Sequence, residues 1–195
     1  GRLLDLSTPW PELSVCTAMA RYAGVHMRGD ESVDELRACL RAGGHKLPPG
    51  PTSWDDLFFS VFLDHVEPQL AQLSDGKEPA ALRPIVLYDW PRPLCALARQ
   101  NPENPAVVER FEAYIAGLEL CNGFGELCDP DEQARRFAAD LRERARRGLP
   151  SYPVDDRFLA ALVEGMPPAG GVALGVERLL MLLLDERELR QAVAF

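Results

Sequence analysis

The chain has 195 residues, 47% hydrophobic and 26% charged, an ordinary globular composition that excludes a disordered or fibrous protein. Thirty acidic residues against 21 basic ones leave a net charge of −9, which excludes bulk binding along a phosphate backbone and leaves room for a local basic pocket. Five cysteines, Cys16, Cys39, Cys95, Cys121 and Cys128, are odd in number and lack CxxC spacing, so they fit reduced, mostly buried thiols rather than a disulfide framework or zinc knuckle. The longest apolar run, 179–184, is far short of the roughly 20 residues a bilayer crossing needs. With no signal peptide at the start, the expected setting is soluble and cytoplasmic.

Residues 1–84 read as a mostly helical region. Ser14 is placed to cap a helix through Cys16, Met19, Ala20 and Tyr22 that ends before Gly24, and Ser32 to cap one through Val33, Leu36 and Leu40 that stops at Gly43 and Gly44. Between 54 and 73, Leu57, Phe58, Val61, Phe62 and Val66 recur at helical spacing, and Pro68 predicts a kink or break near Val66. The run SDGKEPA is turn material leading into Ile85, Val86 and Leu87, a short buried strand.

From residue 85 onward the chain reads as a sheet core. Phe111, Ala113 and Ile115 alternate with Glu112 and Tyr114, and Leu118 and Leu120 alternate with Glu119 and Cys121. Period two with one apolar side predicts half-buried strands, joined by Ala116-Gly117 as a two-residue hairpin turn. Pairing Ile115 with Leu118 sets Tyr114 opposite Glu119 and Glu112 opposite Cys121. Both glutamates then project from the face opposite the apolar one, as diagonal neighbours about 7–8 Å apart. Two carboxylates held so can share a cation, which offsets their mutual repulsion.

A helix follows over 131–147, with Asp129 as N-cap and Gly148 as stop. Its apolar stripe is Ala134, Phe137, Ala138, Leu141 and Ala145, and its six arginines against four acids form a solvated face. A shorter helix is expected over 156–164, then a strand over 172–174, Gly175 as a joint, and a buried helix over 176–184. Arg178 falls in the first turns of that last helix, where it and the exposed amides can share an anion. His26, His45 and His65 lack ligand-like spacing and read as structural or surface residues. GVALG is no P-loop, since no GK[ST] follows, and no Rossmann fingerprint is present.

Each signal is weak alone, but their order is specific: RFEAYIAGLELCNGFGELCD, an arginine-rich helix, RGLPSYPVDD, then GGVALGVERLLML. This series resembles the C-terminal half of a class II aminoacyl-tRNA synthetase catalytic domain. GGVALGVERL is similar to motif 3, and the hairpin segment to the strand pair and substrate loop of the lysyl branch. Within that branch the resemblance is strongest to the elongation factor P beta-lysine ligase family; LSVCTAMARYAGV and IVLYDWP also fit, and the likeness is weakest between 27 and 82.

The resemblance implies an α/β fold, an antiparallel sheet flanked by helices and incomplete at its N-terminus, with 1–84 and 85–195 as parts of one catalytic domain. It implies ATP and Mg²⁺, with lysine or beta-lysine as substrate. The amino acid is activated as an adenylate and passed to a lysine of elongation factor P, with tRNA the less favoured acceptor. By the same likeness Glu112 and Glu119 hold Mg²⁺, Asn122 positions substrate and nucleotide, and Glu126 receives the substrate's side-chain ammonium. Arg178 is the catalytic arginine on the far phosphates, and Gly171 and Gly175 let backbone approach the ligand. Ala173 stands where lysyl-tRNA synthetases usually carry glycine and the ligase family alanine, so its methyl is expected to shape the pocket near the α-carbon.

Nothing resembles motif 1 or motif 2. The family likeness implies that those segments precede Gly1, that these residues alone are inactive, and that the full-length protein is a homodimer. Glu177 stands where relatives often have aspartate, and Gly125 where many carry a bulkier residue. Two other readings stay open: a lysyl-tRNA synthetase core, and a noncatalytic synthetase-like module that binds lysine or nucleotide.

Overall fold

A computed structural model describes residues 3–50, 52–74, 76, 81–95 and 97–193. Most of the SDGKEPA segment therefore lies outside the described residues. The elements run β1 (Glu12–Ser14), α1 (Val15–Ala23), α2 (Val33–Ala42), α3 (Trp54–Val61), α4 (Glu67–Leu70), β2 (Ile85–Pro91), β3 (Val107–Ile115), β4 (Leu118–Gly125), α5 (Pro130–Arg146), α6 (Asp156–Gly165), β5 (Gly170–Leu174) and α7 (Val176–Leu184). The result is a mixed α/β fold whose five-stranded sheet has the order β1-β2-β3-β4-β5. Four strands are antiparallel, as expected; β1 pairs parallel to β2, because helices and loops rather than a hairpin connect them.

Local chemistry explains the helix limits. Ser14 and Ser32 accept hydrogen bonds from the amides of Thr17 and Glu35, and Ser32 with Glu35 completes a capping box. Ser53 and Asp56 repeat the device at α3. The break expected at Pro68 is a widened π turn, Phe62–Val66, ahead of α4. Proline offers no N–H to the preceding turn and its ring crowds the carbonyl there, so the turn opens instead of ending.

The main core lies between the helices of the N-terminal half and one face of the sheet. Met19, Leu57, Phe58 and Phe62 pack there with Leu87, Trp90, Val108 and Tyr114. β2 extends beyond the three expected residues to Pro91, after a bulge at Asp89, whose φ is 53°. A smaller cluster of Ile115, Leu120 and Leu182 fastens α7 to the hairpin.

The outer elements are more open than the sequence implied. α7 occupies 176–184 as expected but is not a buried helix: it buries Met181 and Leu182 and leaves Leu183 70% exposed. Nothing among the described residues forms a second layer against its outer side. α5 starts after its Asp129 cap, yet it buries Gln133, while Ala134 and Ala145 of the expected stripe are exposed. It packs through partial contacts such as Phe137 against Phe158 of α6, ring centroids 6.0 Å apart. All five cysteines are free and only partly buried.

Candidate active site

The hairpin turn at Ala116 and Gly117 has φ of 53° and 82°, a two-residue turn of the primed kind that matches strand twist. A Cβ on Gly117 would lie 2.8 Å from Ala71 Cβ, so glycine serves both the turn and its packing. Ile115 pairs with Leu118 and Tyr114 with Glu119, as the sequence predicts. One residue on, the register shifts: Ala113 pairs with Cys121, and Glu112 pairs with Asn122 instead of Cys121. The inserted residue is Leu120. Its side chain joins the cluster beneath α7, and its carbonyl accepts the Gly175 amide at 2.8 Å, so anchoring the motif 3-like helix forces the bulge.

The bulge assembles the site. Directly paired residues share a face, so Leu87, Glu112, Asn122 and Ala173 form one row across β2, β3, β4 and β5. The neighbouring row holds Arg110, Phe124 and Gly171, and Glu119 lies opposite Tyr114 on the same face. Both glutamates project from one side. That side is not the solvated one: Glu112 is 3% exposed, whereas Phe111 on the opposite face is 37% exposed. The expected apolar face is covered too, with Ala113 and Ile115 buried, so this part of β3 is buried on both sides instead of one, α1 to α4 covering the carboxylate face.

Burying a carboxylate requires partners. Glu112 Oε1 accepts from Arg110 Nη2 at 2.6 Å and Asn122 Nδ2 at 3.2 Å, and Oε2 accepts from the Tyr114 hydroxyl at 2.5 Å. Burial still pushes the Glu112 carboxyl above the usual range, against the pull of Tyr114 and Arg110, with Glu119 adding to the rise. The Tyr114 hydroxyl is raised in turn by its own burial and by Glu112. Asn122 Oδ1 is buried and has no hydrogen-bond partner among the described residues.

Arg178 Nη1 donates to the Glu119 carbonyl at 2.7 Å and stands 3.4 Å from Glu119 Oε2. The helix-borne arginine thus lies on the hairpin acid. Glu67 of α4 adds negative charge nearby: burial raises its carboxyl, Glu119 raises it further and Arg178 lowers it. Glu126 continues the β4 face. A Cβ on Gly171 would fall 2.5 Å from Glu126 Oε1, so this glycine makes room for a carboxylate of the same chain. Gly175 adopts ordinary extended backbone at the α7 N-cap, where a Cβ would touch only the Arg178 side chain at 3.4 Å.

A family model described as tRNA synthetases class II (D, K and N) matches residues 1–195. The chain belongs to this family. Among its curated relatives, the lysine–tRNA ligase of Moorella thermoacetica is 38% identical over 195 residues, 100% of this chain and 37% of that protein. The corresponding ligase of Chloroflexus aurantiacus is 35% identical over the same span. The elongation factor P–(R)-beta-lysine ligase of Haemophilus influenzae is 47% identical over 141 residues, 72% of this chain and 41% of that protein. The chain therefore spans 37% to 41% of the length of these relatives.

Arg110, Tyr114, Phe124 and Glu67 escape a reading built on motifs. The first three stand two residues from Glu112 or Asn122 on the same strands, so period two alone would have placed them on the same face. Glu67 had no such signal, because it arrives from a separate helix. No group of three or more His, Cys, Asp or Glu among the described residues could hold a metal ion alone. Glu112 and Glu119 are nonetheless hard oxygen donors on one face, which fits a divalent cation that takes its other ligands from phosphate and water.

Proposed function

We propose that these residues form the nucleotide and lysine side of an ATP-dependent ligase, which activates lysine or beta-lysine as an adenylate. The acyl group then passes to a lysine of elongation factor P. The row Glu112, Asn122 and Ala173, with Arg178 seated on Glu119, carries the reading. In it the helical stretch 1–84 and the sheet stretch 85–195 serve one catalytic domain, and the apolar core running through both supports that.

In the first step a substrate carboxylate oxygen attacks the α-phosphorus of ATP, the bond to the bridging oxygen breaks, and pyrophosphate leaves. In the second an acceptor amine attacks the acyl carbon, AMP leaves, and the amine loses a proton. Glu112 and Glu119 would hold Mg²⁺, which when bound offsets polyphosphate charge. Arg178 offers a planar fork to the distal phosphates and exchanges its hold on Glu119 for them. Glu126 pairs with the substrate ammonium, which needs a counter-charge once water is excluded. Asn122, with its unspent Oδ1, orients substrate between the two ends. Ala173 stands directly opposite Asn122 and puts a methyl on the pocket wall, worth about 1–3 kcal/mol of discrimination.

The net charge of −9 and the 47% identity to a beta-lysine ligase favour a protein acceptor, which sets the reaction in the cytoplasm. The 38% identity to a lysine–tRNA ligase across the whole chain favours the second reading, transfer to tRNA. The two separate in one assay: the protein as encoded is given ATP and radiolabelled lysine or (R)-beta-lysine, with elongation factor P or tRNA as acceptor. Label from beta-lysine on elongation factor P is expected; label from lysine on tRNA alone would establish the alternative.

A further inference from the structure

We infer that Arg110 is a positioning residue that couples the two ends of the site, holding Glu112 on the nucleotide side and Phe124, with the strand end leading to Glu126, on the ammonium side. The inference rests on the reading above and goes beyond it, because Arg110 need touch neither ligand.

The guanidinium is committed in several directions at once. Nη2 meets Glu112 Oε1 at 2.6 Å, in a pair whose side chains are only 15% and 4% exposed. Nη1 donates to the Leu94 carbonyl at 3.0 Å. The guanidinium carbon stands 4.4 Å from the Trp90 ring centroid and 5.8 Å from that of Phe124. Phe124 is the direct cross-strand partner of Arg110 and, on its other side, of Gly171. Gly171 in turn leaves the space that Glu126 Oε1 fills. Contacts thus run from Glu112 through Arg110, Phe124 and Gly171 to Glu126.

The two jobs call on different properties of arginine. Glu112 needs a nearby positive charge; Phe124 and Trp90 need a flat cation that lies against a ring. Lysine supplies the first without the second, and methionine supplies neither while keeping an apolar stem.

Equilibrium binding separates them. Calorimetry on the protein as encoded would measure Mn²⁺ affinity in the presence of a non-hydrolysable ATP analogue and, separately, affinity for lysine, in wild type, Arg110→Lys and Arg110→Met. Arg110→Met should weaken Mn²⁺ binding about tenfold, as loss of a carboxylate's supporting partner does. Lysine binding should weaken about fivefold in both variants. Arg110→Lys should restore Mn²⁺ affinity to within about twofold while lysine stays weak, a split that simple loss of stability would not produce. Should Arg110→Met fail to fold, Arg110→Lys carries the test alone. Unchanged affinities in Arg110→Lys, or equal loss of both ligands, would overturn the coupling and leave the ligase reading standing. A wild-type protein that binds neither ligand would overturn the reading and the inference together.

Discussion

The Tyr114 hydroxyl donates to Glu112 Oε2 at 2.5 Å from two residues along the same strand, beneath the helices that exclude water from both. The carboxyl of Glu112 titrates above its ordinary 4.5 because burial outweighs its partners, and the hydrogen bond from this hydroxyl is the largest single influence pulling it down. A carboxyl whose folded pKa exceeds its unfolded one takes up a proton on folding, so its charging costs stability as pH rises through that interval. Tyr114→Phe should widen the interval. Urea unfolding should show a loss of about 1–3 kcal/mol at pH 7.5, shrinking towards pH 4 as the carboxyl is protonated in both states. An equal loss at both values would contradict this account of the pair.

Gly171→Ala should separate binding from stability. The added Cβ meets only the far end of the flexible Glu126 side chain, so the fold should change by less than about 1 kcal/mol. Glu126, displaced from its place against β5, should lose its aim, and lysine affinity should fall about tenfold while affinity for the ATP analogue holds. Calorimetry with each ligand checks this; loss of both together would contradict it.

Ala116 occupies the first turn position at φ 53°, where a side chain is strained. Ala116→Asn, the residue that favours this turn before glycine, should raise stability by about 0.5–1 kcal/mol in urea unfolding and leave the neighbouring Tyr114–Glu119 pairing in place.

On α5, Arg146 and Arg147 hold the partly exposed Glu143 carboxyl down to about 2. A carboxyl depressed in the folded state stabilises above its unfolded value, near 4.5, and that contribution is lost as pH falls towards the folded value. Glu143→Gln should therefore unfold at slightly lower urea than wild type at pH 7, match it near pH 2, and match it again in high salt, which screens surface pairs.

Much of the fold was legible because its signals are local. Ser14, Ser32 and Asp129 cap their helices by side-chain chemistry that sequence displays, and Ala116-Gly117 fixes a turn. The Glu112 and Glu119 spacing gave the shared face correctly, because Tyr114 and Glu119 do pair. What was hidden depends on tertiary context. The Leu120 bulge follows from a contact with α7 and a bond to Gly175, both distant in sequence, so the partner of Glu112 could not be read from alternation. Likewise no periodicity within β3 could tell that α1 to α4 cover its carboxylate side, which is why Glu112 is buried along with Ala113 and Ile115 of the apolar face. Glu67 and the Arg110 contacts with Trp90 are of the same kind.

In the proposed function the Glu112, Asn122 and Ala173 row, with Arg178, binds ATP and a lysine-like amino acid for adenylate formation. Amino-acid-dependent exchange of labelled pyrophosphate into ATP by the protein as encoded tests it most directly. Exchange should require a divalent cation, respond to lysine or (R)-beta-lysine and not to aspartate or asparagine, and fall at least about 100-fold in Glu126→Gln, where the ammonium loses its counter-charge. Exchange driven equally by aspartate or asparagine, or undiminished in Glu126→Gln, would contradict it.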